Sequence, residues 1–227
     1  MVQALFGRWS KRAQSAAALR RPATLAGTIL AFGLLALASS GETQAQTVAL
    51  LPNARPIENI GLARPVLGWV RFCERHPDEC RIDVSEPAVV TLTPQVWRAI
   101  VVANRRVNAR IKPRTDKEHW GVVDSWDLPE DGYGDCEDYQ LQKRKLLAEA
   151  GLPRRAMRMT VVIDEKREGH AVLMVRTDRG DFILDNKTNA VLPWHDTGYI
   201  YVKREGQGGP AWVSLGGVTS PVATANR

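Results

Sequence analysis

Hydrophobic periodicity changes character once along this chain, near residue 157, from helical to strand-like. Upstream, Thr93-Pro94 marks a helix start, with Thr as N-cap and Pro at the first helical position. Val96, Ile100, Val101, Asn104, Val107 and Ile111 follow at helical spacing, so residues 94–111 read as an amphipathic helix. A second helix runs from about Cys136 to Ala150. Asp135 suits its N-cap, Glu137 and Asp138 its first turn, and Gly151 its C-terminal cap, with Pro153 beyond. A shorter helix fits residues 66–76. Downstream, strands are expected over Met157–Ile163, Ala171–Thr177, Asp181–Asp185, Tyr199–Lys203 and Ala211–Leu215, with Asp178-Arg179-Gly180 as a turn. Helices followed by an antiparallel sheet predict an α+β fold, with the sheet packed on the helix that begins at Cys136.

The first 45 residues read as a secretory signal peptide. A basic leader precedes an apolar run, Leu25 to Ala38, of 14 residues, shorter than the roughly 20 a membrane span needs. Thr43-Gln44-Ala45 resembles a small-x-small cleavage site. Arg20-Arg21 lacks the rest of a twin-arginine pattern, so the general export route and a periplasmic protein are expected. Nothing in the chain after cleavage is expected to embed in the membrane. Residues 46–64, with Pro52 and Pro56, look like an extended lead-in, 65–215 like the folded domain, and 216–227 like a mobile tail. The net charge of +6 is concentrated in the leader. Without residues 1–45 the chain has 26 basic and 24 acidic residues, a net of +2, which argues against nucleic acid as a partner.

Cys73 and Cys80 bracket Glu-Arg-His-Pro-Asp-Glu. In an oxidising compartment they can form a disulfide, and two free thiols are the alternative. Either way Cys136 stands apart. A thiolate needs a stabilising field, and a helix start supplies one through free N–H groups and the dipole. A base is then required, and His170 is the histidine on an expected core strand. Asp185 ends the apolar run Phe182-Ile183-Leu184, where a carboxylate calls for a partner. If Thr177 lies opposite Gly180, Asp185 falls opposite Val172, on the same sheet face as His170 and diagonal to it. A slip of one residue would separate them. The three residues would then act as nucleophile, base and orienting acid. The long loop 112–134 brings Trp120 and Trp126 nearby, as packing, as substrate wall or as an indole donor to an oxyanion.

Gly134-Asp135-Cys136-Glu137-Asp138-Tyr139, the lysine-rich helix ending Ala150-Gly151-Leu152-Pro153, Gly169-His170-Ala171-Val172-Leu173 and Leu184-Asp185-Asn186 together resemble the bacterial transglutaminase-like cysteine proteinase family. The likeness covers roughly residues 65–205. It implies a papain-like core of the transglutaminase type and a cysteine protease with the triad Cys136, His170 and Asp185. For one branch of the family it further implies a protein substrate, the N-terminal part of a large surface adhesin, often cut after paired alanines. An inner-membrane cyclic-di-GMP receptor would be the regulatory partner. The same resemblance implies calcium held by Asp135, Glu137 and Asp138. The residues themselves agree in kind, because closely spaced carboxylates offer the hard oxygen ligands calcium prefers, although the spacing is not that of an EF-hand. Helix capping alone would also place acids here. Two other readings use the same residues: an amidase or acyltransferase acting on cell-wall or protein amides, and a calcium-dependent binding module without activity.

Overall fold

The computed structural model describes residues 51–217, so the leader at 1–45 and the tail from 218 onward lie outside the described residues. In chain order the elements are β1 (Gly61–Ala63), α1 (Leu67–Arg75), α2 (Pro77–Cys80), α3 (Pro94–Arg110), β2 (Lys112–Pro113), α4 (Asp116–His119), β3 (Tyr133–Gly134), α5 (Cys136–Glu149), β4 (Met157–Ile163), β5 (Gly169–Thr177), β6 (Gly180–Leu184), β7 (Leu192–Pro193), β8 (Ile200–Glu205) and β9 (Trp212–Ser214). The architecture is α+β, with a seven-stranded sheet in the order β1-β9-β8-β4-β5-β6-β7. Every strand pairing in that sheet is antiparallel. No helix among the described residues is long and apolar enough to cross a membrane.

The helices form where their caps and apolar faces dictate. Thr93 accepts the Val96 N–H at 3.2 Å and Pro94 opens α3. Ile100, Ala103 and Val107 line its buried face. The helices pack on one side of the sheet, where Trp69, Phe72, Leu141 and Leu147 meet Met157, Met159, Leu173, Val175, Phe182 and Trp212. The other side carries Val162, Val172, Met174, Ile183 and Tyr201, covered by Ile57 of the lead-in. The described part of that lead-in, from residue 51, packs on the domain: the Ile57 N–H donates to Asp181 Oδ2 at 2.9 Å, and β1 pairs with β9 as an edge strand. Cys73 and Cys80 are joined as a disulfide between α1 and α2, with Cα atoms 5.5 Å apart.

The β5–β6 hairpin fixes the register on which the site depends. Thr177 pairs with Gly180 and Leu173 with Leu184, where the ladder ends, so Asp185 leaves the strand just past Leu184, on the side of Val172. Gly180 has φ +101, and a Cβ there would lie 2.4 Å from the Ala54 carbonyl carbon. Only glycine suits both the turn and the close passage of the lead-in.

The loop 112–134 is less irregular than its composition suggests. Its ends pair as a parallel ladder, Lys112 with Tyr133 and Pro113 with Gly134. Between them α4 is capped by a reciprocal Thr115–Glu118 box.

Candidate active site

The first turn of α5 meets the start of β5 and the end of β6. Gly134 lets the chain enter closely, since a Cβ there would lie 2.7 Å from the Asp138 side chain. Asp135 then takes the N-cap position in extended backbone. At N3, Asp138 reaches back and accepts the Asp135 N–H through Oδ2 at 3.3 Å, as in a capping box. Asp135 itself accepts the Asp116 N–H at 3.3 Å, which ties the α4 loop to the helix start.

His170 and Asp185, both buried, are joined through Nε2 and Oδ1 at 2.9 Å. The Lys187 N–H donates to the same Oδ1 at 3.0 Å, and the Tyr199 hydroxyl donates to Oδ2 at 2.7 Å. The Tyr199 ring also meets the His170 ring edge-on, with centroids 5.8 Å apart. Burial alone would raise the Asp185 carboxyl. The His170 hydrogen bond and charge, with Tyr199 and Lys187, outweigh it and hold the group at about 2. An ionised carboxylate only accepts, so Nε2 carries its hydrogen and Nδ1 keeps the lone pair that can take a proton. Lys143, buried on α5 with Nζ lacking a hydrogen-bond partner among the described residues, is pushed by burial down to about 7, against the pull of Asp185.

Cys136 is the free cysteine and is buried. Its Sγ donates to Glu137 Oε2 at 2.9 Å. Among the described residues that hydrogen bond goes to Glu137 and not to the imidazole. Burial raises the thiol well above its ordinary value, the charges of Glu137 and Asp135 raise it further, and the Ala171 N–H works the other way. The helix start favours an anion in general, but here its own acids oppose one.

Those acids form a larger group than the sequence reading supposed. Asp116 and Asp124, from the 112–134 loop, join Asp135, Glu137 and Asp138, and ligand atoms of the sets Asp116/Asp135/Asp138 and Asp116/Asp124/Glu137 lie within 4.8 Å of one another. Asp135 Oδ1 and Glu137 Oε1 are buried without a hydrogen-bond partner among the described residues. Burial, then mutual repulsion, raises Asp135 to about 7 and Glu137 and Asp138 well above the carboxylate range. Burial likewise raises Asp116 to about 6. Buried, crowded carboxylate oxygens left without donors fit a hard divalent cation.

Trp126 is fully buried and its indole N–H donates to Asp124 Oδ1 at 3.1 Å, so it packs in the core and holds an acid in place. Trp120 is 54% exposed and stacks on His119. Tyr199, Asp116 and Asp124 were not singled out by sequence reasoning. The one available signal for the two acids was the length of the loop that carries them.

Tyr199→Phe tests how the acid is held. A hydrogen bond to a charged group contributes about 1.5–3 kcal/mol, so its loss should raise the Asp185 pKa by roughly 1–2 units. Because the folded value is depressed, the stability Asp185 contributes is present above its unfolded pKa and is lost as pH falls through about 2. In the variant that loss should be smaller and complete at a higher pH, because the folded pKa moves toward the unfolded one. A carbon-13 NMR titration with an unmoved Asp185 pKa would remove Tyr199 from this role.

The bacterial transglutaminase-like cysteine proteinase family matches this chain over residues 60–220. Among solved structures it is similar to LapG of Legionella pneumophila, at 25% identity over 54% of this chain and 71% of that one, with a TM-score of 0.45. The calcium-bound form of that protein aligns at 24% identity over 56% and 74% of the two chains, with a TM-score of 0.47. Its EGTA-treated form aligns at 26% identity over 54% and 69%, with a TM-score of 0.45. No curated protein sequence matches.

Proposed function

The chain belongs to the bacterial transglutaminase-like cysteine proteinase family, and on that footing we propose that it is an exported, periplasmic protease acting through Cys136, His170 and Asp185. The observation that carries this reading is the buried His170 Nε2 to Asp185 Oδ1 contact of 2.9 Å, beside the helix that begins at Cys136. Nδ1 of His170 takes the Sγ proton, and the thiolate attacks the peptide carbonyl carbon. The carbonyl oxygen becomes an oxyanion, for which the Cys136 N–H at the helix start is a donor. The imidazolium gives its proton to the leaving amine nitrogen as the C–N bond breaks, leaving a thioester. Water then loses a proton to Nδ1 and attacks the thioester, and the thiol regains its proton as the acid departs. Asp185 holds the ring in one tautomer and stabilises its charged form throughout.

Asp116, Asp135, Glu137 and Asp138, with Asp124 at the margin, would hold calcium, and the chemistry it supplies is positive charge against the carboxylate repulsion that opposes the thiolate. The mature chain in excess chelator should therefore lose cleavage and melt at a lower temperature, with both restored by calcium. At a calcium concentration 100 times Kd the restored stability should be about 2.7 kcal/mol. Full activity and an unchanged melting curve in chelator would sink this part of the proposal.

The substrate we propose is the N-terminal region of a large surface adhesin, with an inner-membrane cyclic-di-GMP receptor as the partner that sequesters the protease. Both follow from the family resemblance of the motifs around Cys136 and His170. Incubation of the mature chain with exported proteins of the same cell, followed by N-terminal sequencing of the fragments, tests the substrate. Cleavage confined to other proteins would count against an adhesin.

A further inference from the structure

Six residues along β5 from His170, roughly 20 Å away at strand rise, Arg176 and Arg204 line a cavity of about 510 Å³. Asn59 and the glycine-rich loop Gly206-Gln207-Gly208-Gly209 complete its wall. Arg204 is 2% exposed. Among the described residues it makes no ion pair. Among those residues its Nη2 donates to Asn59 Oδ1 at 2.9 Å, its Nη1 reaches only the weak acceptor Met174 Sδ at 3.5 Å, and its Nε is buried without a partner.

The charges around Arg204 do not balance. Asp181 is the acid that faces it, and that carboxylate already binds Arg176 Nε at 3.2 Å and the Ile57 N–H at 2.9 Å. Glu205 also lines the cavity but is engaged by Arg144 at 2.8 Å. Arg158 adds a third guanidinium, whose own donors go to the Met157, Gly206 and Arg154 carbonyls. Burial, then the neighbouring Arg176, lowers Arg204 to about 10. A buried guanidinium whose one facing acid is already paired with a second guanidinium is unfavourable unless an anion reaches it.

We infer that this cavity is a binding site for a small tetrahedral oxyanion, clasped between the guanidinium groups of Arg204 and Arg176. Arg176 gives Nε to Asp181 and Nη1 to Gln207 Oε1 on the cavity wall, so each guanidinium offers an anion its remaining N–H groups, and two guanidiniums together suit a dianion better than a single carboxylate. The cavity is larger than a bare ion, so a phosphate or sulfate monoester also fits it. The site is separate from the triad and does not depend on the proteolytic reading.

The test is calorimetric titration of the purified mature chain with inorganic phosphate and, in parallel, with glycerol 3-phosphate, at ionic strength fixed with chloride. One saturable site is expected, with affinity at least tenfold weaker in Arg176→Gln and in Arg204→Gln. Tighter binding of glycerol 3-phosphate would mark a monoester as the ligand, and tighter binding of phosphate the free ion; either supports the site. Arg204→Gln removes a buried group and can fail to fold, so Arg176→Gln, at the cavity rim, and the wild-type titration decide. No saturable binding of either probe to the wild type, or unchanged affinity in Arg176→Gln, overturns the inference.

Discussion

A His170→Ala variant is expected to lose peptide cleavage by a factor on the order of 10⁶, because removing one member of such a catalytic unit removes nearly all that the unit contributes. The imidazole is the base that the ionised Asp185 holds in place. Without it the Cys136 thiol keeps only its hydrogen bond to Glu137, and burial beside Glu137 and Asp135 keeps it protonated. The fold should survive, since Asp185 retains the Tyr199 hydroxyl and the Lys187 N–H. Two assays check this together: turnover of a cleaved protein, and the rate of iodoacetamide labelling of Cys136 at neutral pH. Labelling should slow markedly in the variant. Cleavage within tenfold of wild type would mean that another base serves the thiol.

Glu205→Ala should cost about 3–5 kcal/mol of stability, the range for stranding one partner of a buried ion pair. Both Glu205 oxygens accept from Arg144 Nη1, at 2.9 and 2.8 Å. The same carboxylate accepts the Trp69 indole N–H at 2.6 Å and the Met159 N–H at 2.8 Å. One buried acid thus ties α5, which presents Cys136, to α1 and to strands β4 and β8. Its removal leaves the Arg144 charge, 1% exposed, without compensation. Replacing both partners with apolar residues, Arg144→Met with Glu205→Leu, should recover much of the loss, because the uncompensated charge goes with them. Denaturant melts of the single and double variants measure this. A single variant within 1 kcal/mol of wild type would contradict the structural role given to the pair.

Much of the site was legible because its parts lie close in sequence or on one hairpin. The α5 cap, Cys136 and the first-turn acids fall within a few residues of one another. The diagonal of His170 and Asp185 follows from a two-residue turn and strict alternation, and the pairing of Thr177 with Gly180 agrees with it. Other parts depend on distant residues that local pattern does not connect. β1 and β7 are too short to carry a period, and β2 and β3 pair across the whole 112–134 loop. Asp116 looks like any polar loop residue until its N–H reaches Asp135. Tyr199 reads as a strand residue, and only the fold brings its hydroxyl to Asp185. In the basic run Lys143-Arg144-Lys145 the first two residues are buried, Arg144 beside the acid Glu205 and Lys143 within reach of the Asp185 charge.

The central claim is that Cys136 is the nucleophile of a protease held back by its own carboxylates. The most direct measurement is cleavage of a panel of exported proteins from the same cell by the purified mature chain, with calcium and with chelator, beside Cys136→Ala. The expected result is a defined fragment that forms with calcium, fades with chelator and is absent with the variant. Fragments that persist with Cys136→Ala, or no cleavage of any protein together with a Cys136 that iodoacetamide does not label, would contradict the account.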